Sequence, residues 1–265
     1  MAEKSGEEPV FQAVVDESDP VPVNAQPLEY DQMGHVIVID RCFYTIKSGS
    51  PVYMKEESLI SIVEAYTSLL KRGESEQQEK VNFLLAGYDS VQVSGFMSVN
   101  SAMSWLRANL TIDTKHYSAM IYDSFLQAAK IATDNSNGPR FKSIFMVLDC
   151  NLQYNENDSW SNMSAAAQAI NAYKEVRYGN CLPVSIVGIR GNSAAANIVR
   201  FQDQGFSQLS SFAAENGFFY TMITSERNSG SVDATDIDGI GKMLQSLFAG
   251  FRYYRLDFST RSEER

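Results

Sequence analysis

The stretch HVIVID, His35–Asp40, is a continuous apolar run built on Val36–Ile39 that ends on an aspartate. A continuous apolar run of this length reads as a strand buried on both faces, the kind found in parallel sheets covered by helices. A second run, SIFMVLD at Ser143–Asp149, has the same character and the same ending. In an open α/β sheet, ligands gather beyond the carboxyl ends of the strands, where strand order reverses. Two carboxylates delivered to that edge suggest a cation site or its remnant.

Working outward, strand and helix patterns alternate. Leu59, Ile62, Val63, Tyr66, Leu69 and Leu70 recur at spacings of three and four, which predicts a helix over 57–72, with 42–56 before it as a loop. Residues 80–88 and 90–98 read as two strands of a hairpin. Helices follow near 99–109 and 118–132, then the strand 141–149, a polar loop over 151–158 and a helix over 161–176. The remainder reads as a strand at 183–189, a helical stretch from 192 interrupted at Gly205 and resuming at 207–215, a strand at 218–224 and a helix at 237–251. This order predicts a doubly wound, mostly parallel six-stranded sheet with one antiparallel edge strand and helices on both faces.

The 265 residues carry a net charge of −10, which disfavours a role in coating nucleic acid. Much of that charge lies in residues 1–31, which hold eight acidic side chains against Lys4 and four of the seven prolines. Such a segment cannot bury enough surface to offset its ordering entropy. We therefore expect a disordered acidic arm over 1–32, one α/β domain over 33–252 and a C-terminal tail over 253–265. No apolar stretch approaches the roughly 20 residues that span a bilayer, and MAEKSGEEPV does not resemble a signal peptide. Three cysteines, Cys42, Cys150 and Cys181, show no CxxC spacing. A cytoplasmic, membrane-free setting is the expectation.

The order of elements, the aspartate ending the first strand, and the segments SAMIYDSFLQAA, LPVSIVGIRG and SQLSSFAAENGFFYTMIT resemble the von Willebrand factor A family over about residues 34–251. That resemblance implies an interaction module whose site is a metal-ion-dependent adhesion site. The family's pattern is D-x-S-x-S after the first strand, a threonine after the hairpin, and an aspartate after the fourth strand. Asp40 and Asp149 match the two aspartates. Cys42 and Tyr44 stand at the serine positions and Ala119, beside Ser118, at the threonine. Mg²⁺ requires hard oxygen ligands, so the resemblance implies a degenerate site: Asp40, Asp149 and Ser118 are its candidate ligands, with Mg²⁺ the alternative to no cofactor at all.

Catalytic patterns are incomplete. Asp40 lacks the second aspartate of a D-x-D phosphohydrolase, because Cys42 occupies that position. Gly188-Ile-Arg-Gly191-Asn-Ser193 lacks the spacing of a nucleotide loop. The expected function is thus a non-catalytic protein-binding module that uses the carboxyl-end edge of the sheet, as a subunit or adaptor of an intracellular assembly. The alternatives are a working Mg²⁺-dependent adhesion site, an aspartate-dependent phosphohydrolase and a self-assembling subunit. Phe43, Tyr44, Tyr53 and Met54 in the long first loop are the candidate partner-binding residues, since exposed aromatics often anchor interfaces.

Overall fold

The structure is a computed structural model. It describes residues 12–13, 21–27, 33–42, 44–47, 50–70, 79–139, 141–149, 155–176, 182–190, 196–224, 237–243 and 254–258. In chain order, β1 (Gln12–Ala13) and β2 (Val21–Pro27) precede β3 (Met33–Asp40). A hairpin of β4 (Tyr44–Lys47) and β5 (Ser50–Tyr53) leads into α1 (Glu56–Thr67). Next come β6 (Lys80–Ala86), β7 (Val91–Val93), β8 (Met97–Ser98), α2 (Val99–Asn109), α3 (Ile121–Thr133) and β9 (Phe141–Asp149). The series continues with α4 (Trp160–Val176), β10 (Val184–Arg190), α5 (Ala196–Asn216) and β11 (Phe219–Thr224). Residues 237–243 are helical, and β12 (Tyr254–Phe258) comes last.

Asp31–Leu244 form one unit. Its sheet has the order β11-β10-β9-β3-β6-β7, with β8 also paired to β6. Pairings among β3, β6, β9, β10 and β11 are parallel, and β7 and β8 run antiparallel to β6. The doubly wound sheet with an antiparallel edge is therefore present, with the second strand of the expected hairpin split into β7 and β8. Gly95 (φ 75°) lies at that split, in a left-handed conformation glycine adopts at little cost.

The alternation within β3 explains its position at the sheet centre. Val36 and Val38 join a cluster with Phe125 and Ala128 of α3, Met163 and Ile170 of α4, and Leu209 and Phe212 of α5. On the opposite side, Tyr66 of α1 stacks on Phe145 with ring centroids 4.3 Å apart, and Trp105 of α2 stacks on Phe83. Each fully buried large apolar side chain contributes about 1.5–3 kcal/mol relative to exposure. Both faces of β3 are closed by helices, which is why the sequence shows no polar alternation there.

One polar cluster sits inside this core. His35 and Ser143 are register partners on β3 and β9, and Tyr66 reaches them from α1. His35 Nδ1 lies 2.9 Å from the Tyr66 hydroxyl and 2.8 Å from Ser143 Oγ, and the two hydroxyls are 3.0 Å apart. All three residues are buried, so these bonds satisfy groups that water cannot reach. Near the start of β9, Gly138 has φ 74°, and a Cβ there would collide with the Phe96 ring.

Four expectations need correction. The segment 42–56 is not all loop, because β4 and β5 pair across Lys47 and Ser50. The helix α5 runs through Gly205 without interruption, since Leu209 and Phe212 anchor the same face into the core. The helix expected from 118 begins at Ile121, with Met120 in a non-helical conformation (φ −76°, ψ 62°). The sequence reading has no strands within 1–32 or 253–265, whereas β2 pairs antiparallel with both β1 and β12. In β12, Tyr254, Leu256 and Phe258 alternate with Arg255 and Asp257, a period of two that fits a strand. These strands belong to a second unit, Met1–Tyr30 with Gln245–Arg265.

Candidate functional site

The carboxyl ends of β3, β6 and β9 place Asp40, Ala86 and Asp149 at one edge of the sheet. Asp40 is 5% exposed. Its Oδ1 accepts from the amide of Cys42 at 2.7 Å and its Oδ2 from the amide of Asp149 at 3.3 Å. Burial pushes the Asp40 carboxyl up to about 6, against the two amide bonds that favour its ionised form. Asp149 is equally buried. Asp40 therefore acts as a backbone clasp between the ends of two neighbouring strands.

The surrounding donors do not fit Mg²⁺. Cys42 is 1% exposed, and burial, then the charges of Asp40 and Asp113, push its thiol far above the usual range. A protonated buried thiol is a poor ligand for a hard cation that takes six oxygens. Ala119 is buried and offers no donor, and the Tyr44 side chain lies outside the described residues. The backbone oxygen of Ser118 accepts from Asn155 Nδ2 at 3.3 Å. Among the described residues, no group of three or more His, Cys, Asp or Glu side chains could hold a metal ion.

The aromatic candidates divide differently. Phe43 lies outside the described residues. Met54 is 8% exposed, so it is core and not the exposed anchor expected from the sequence. Tyr53 is half-buried and donates its hydroxyl to the carbonyl of Thr114 at 2.7 Å, which fixes β5 against the loop 110–120.

That loop carries the residues the sequence reading missed. Asp113 donates its amide to the Arg41 carbonyl at 2.8 Å, and its carboxylate accepts from the amides of Lys115 and His116. His116 Nδ1 lies 2.8 Å from Asp113 Oδ2. Burial opposes ionisation of Asp113, but the His116 and amide hydrogen bonds outweigh it and hold the carboxyl below its ordinary value. The His116 ring stacks on Tyr88 with centroids 4.1 Å apart and planes 8° apart. Tyr88 in turn donates its hydroxyl to Glu156 at 3.3 Å. Tyr117, 45% exposed, hydrogen-bonds the Tyr53 side chain. The spacing Asp113-x-x-His116 was the one available signal, since residues three apart can meet within a turn.

A third loop ties the platform together. Asn155 Nδ2 donates to the carbonyls of Tyr88 and Ser118, at 2.9 and 3.3 Å. Asp158 accepts from the amides of Tyr122 and Asp123 at 2.7 and 2.8 Å, capping α3 from a segment 35 and 36 residues away. Amides at a helix N-terminus lack intrahelical partners, so a carboxylate there is stabilised by both hydrogen bonds and the helix dipole. Burial raises the Asp158 pKa despite these bonds. Chemically, the edge presents stacked aromatic rings ringed by carboxylates, with its loops braced against one another. A separate groove of about 370 Å³ between α4 and α5, lined by residues such as Trp160 and Phe212, contains none of the predicted site residues.

No protein-family model and no curated protein sequence matches the chain. Among solved structures it is similar to the pilus adhesin SpaC from Lactobacillus rhamnosus GG, with a TM-score of 0.51 and 9% identity, over 88% of this chain and 35% of that one. It is also similar to the VWA domain of SpRpn10, with a TM-score of 0.42 and 13% identity, over 78% and 93% of the two chains. The vWF domain of the type V pili tip protein Mfa5 from Porphyromonas gingivalis gives a TM-score of 0.46 and 11% identity, over 84% and 97%. Identities this low concern the fold alone. No helix among the described residues is long and apolar enough to cross a membrane. With its parallel central strands, its antiparallel β7 and helices on both faces, the protein has a von Willebrand factor A-like fold.

Proposed function

We propose that the protein is a non-catalytic binding module that docks another protein on the carboxyl-end edge of its sheet, without a bound cation. One observation carries this reading: Tyr88 and His116 are stacked and Tyr117 is exposed on a loop braced by Tyr53, Asp113 and Asn155. Tyrosines held in place lose little conformational entropy on binding, which is why they concentrate affinity at interfaces. The Asp40 carboxylate engages amides through both oxygens, which leaves the edge to be recognised through its side-chain surface. A pilus adhesin shares the fold, which supports a binding role. We read the protein as a cytoplasmic subunit or adaptor.

The test is co-purification from the native source with the tagged full chain and with its Tyr88→Ala/Tyr117→Ala variant. A partner bound through this edge should be lost from the double variant and retained by Asp134→Ala, an exposed change at the opposite end of α3. A partner retained equally by all three chains would place docking elsewhere.

A further inference from the structure

The same edge has a charge pattern that selects the chemistry of its partner. The segments 87–90, 110–120 and 155–159 contain Asp89, Asp113, Glu156 and Asp158 against Lys115, and Arg41, whose carbonyl accepts from the Asp113 amide, is the basic residue at the adjoining end of β3. Two of these carboxylates touch the aromatic pair directly, Glu156 through the Tyr88 hydroxyl and Asp113 through His116 Nδ1. Asp89 follows Tyr88 in sequence and is exposed, as is Glu156. We propose that the Tyr88–His116–Tyr117 face takes a basic, arginine-bearing segment of a partner protein. This rests on the reading of the edge as a docking surface and deepens it.

Two independent properties favour that occupant. Planar guanidinium groups stack on aromatic faces and donate to carboxylates in the same pose, so rings bordered by carboxylates match arginine in both shape and charge. Opposite surface potentials also steer encounter and exclude like-charged partners. An acidic segment would meet Asp89 and Glu156 with Lys115 as the lone compensating charge among these segments. The occupant fits the carboxylates as they stand, with no cation as intermediary.

The experiment uses the full chain and two labelled twelve-residue peptides, one alternating Arg with Ser and one alternating Glu with Ser, followed by fluorescence anisotropy. The arginine peptide should bind, and the glutamate peptide should not. Tyr117→Ala and Glu156→Gln, both at exposed positions, should each weaken the arginine peptide roughly tenfold. Lys115→Glu should tighten it roughly threefold to tenfold, a gain that misfolding cannot produce. Arginine-peptide binding that all three variants leave unchanged would sink the proposal, because it would then reside elsewhere, for example on the acidic residues 1–31. Absence of arginine-peptide binding would also sink it. Glutamate-peptide binding that depends on Tyr117 would reverse the sign of the partner while leaving the docking surface standing. Failure of the docking surface itself registers separately, as a natural partner retained by the Tyr88→Ala/Tyr117→Ala chain.

Discussion

The backbone amide of Asp149 donates to the carboxylate of Asp40 at 3.3 Å, joining the ends of β3 and β9 through a side chain that is almost fully buried. Burial raises the Asp40 carboxyl from its ordinary 3.8 to about 6. Between those values the native state keeps a proton that the unfolded chain releases. The group's contribution to stability is therefore complete below about pH 4 and falls as pH rises through about 6. Asp40→Asn does not titrate, so its stability relative to wild type should rise by roughly 3 kcal/mol from about pH 3 to pH 7. Urea unfolding across that range measures the difference, and a flat difference would remove the assigned shift.

Addition of Mg²⁺ or Mn²⁺ at about 5 mM should leave the melting temperature unchanged. Ligands that bind only the native state raise it by mass action, so a true site would register. A rise seen with wild type and lost in Asp40→Ala would overturn the cation-free reading.

Removing the Asp158 carboxylate strips the α3 amides of Tyr122 and Asp123 of their acceptors. Asp158→Ala should cost about 1–2 kcal/mol in chemical unfolding, in the range of a lost helix cap, and Asp158→Asn should cost less because an acceptor remains. Equal stability of all three chains would mean that water replaces the cap.

Gly138 combines a left-handed backbone with a Cβ position inside the Phe96 ring. Gly138→Ala should destabilise by about 1–3 kcal/mol. Combining it with Phe96→Ala should recover the part owed to the collision, so the double variant should fall short of the sum of the singles. Strict additivity would leave only backbone strain.

Within the buried triangle, Tyr66→Phe and Ser143→Ala should each cost about 1–3 kcal/mol, because each strands a buried polar group. Their double-mutant cycle should show a coupling of roughly 0.5–3 kcal/mol, the signature of partners in one network. Zero coupling would assign each hydroxyl to a separate bond with His35.

The central strands were legible because both of their faces are buried, which leaves an apolar run in β3 and β9 with no competing pattern. Asp40 and Asp149 were placed correctly at one edge for the same reason. The β4–β5 hairpin was hidden because Lys47-Ser48-Gly49-Ser50 reads as generic loop, and β2 was masked by the acidic residues around it. Gly205 reads as a break only if the helix around it makes no core contact, whereas Gly205 itself, Leu209 and Phe212 are all buried. The aromatic platform was illegible for a different reason. Tyr53, Tyr88, His116 and Tyr117 come from three segments that only the β3-β6 pairing and the loop before α3 bring together. Met54 was misassigned because an apolar side chain in a presumed loop gives no sign of whether it turns inward.

The clasp made by Asn155 and Asp158 has a kinetic side. The same short segment holds the carbonyls of Tyr88 and Ser118 and the first free amides of α3. The amides of Tyr122 and Asp123 are tied down by that segment, and lifting it also removes the Asn155 brace on the loop that carries His116 and Tyr117. Amide exchange at the start of α3 thus becomes a clock for the Asn155–Asp158 clasp, and a partner seated on the aromatic rings would slow it from a distance.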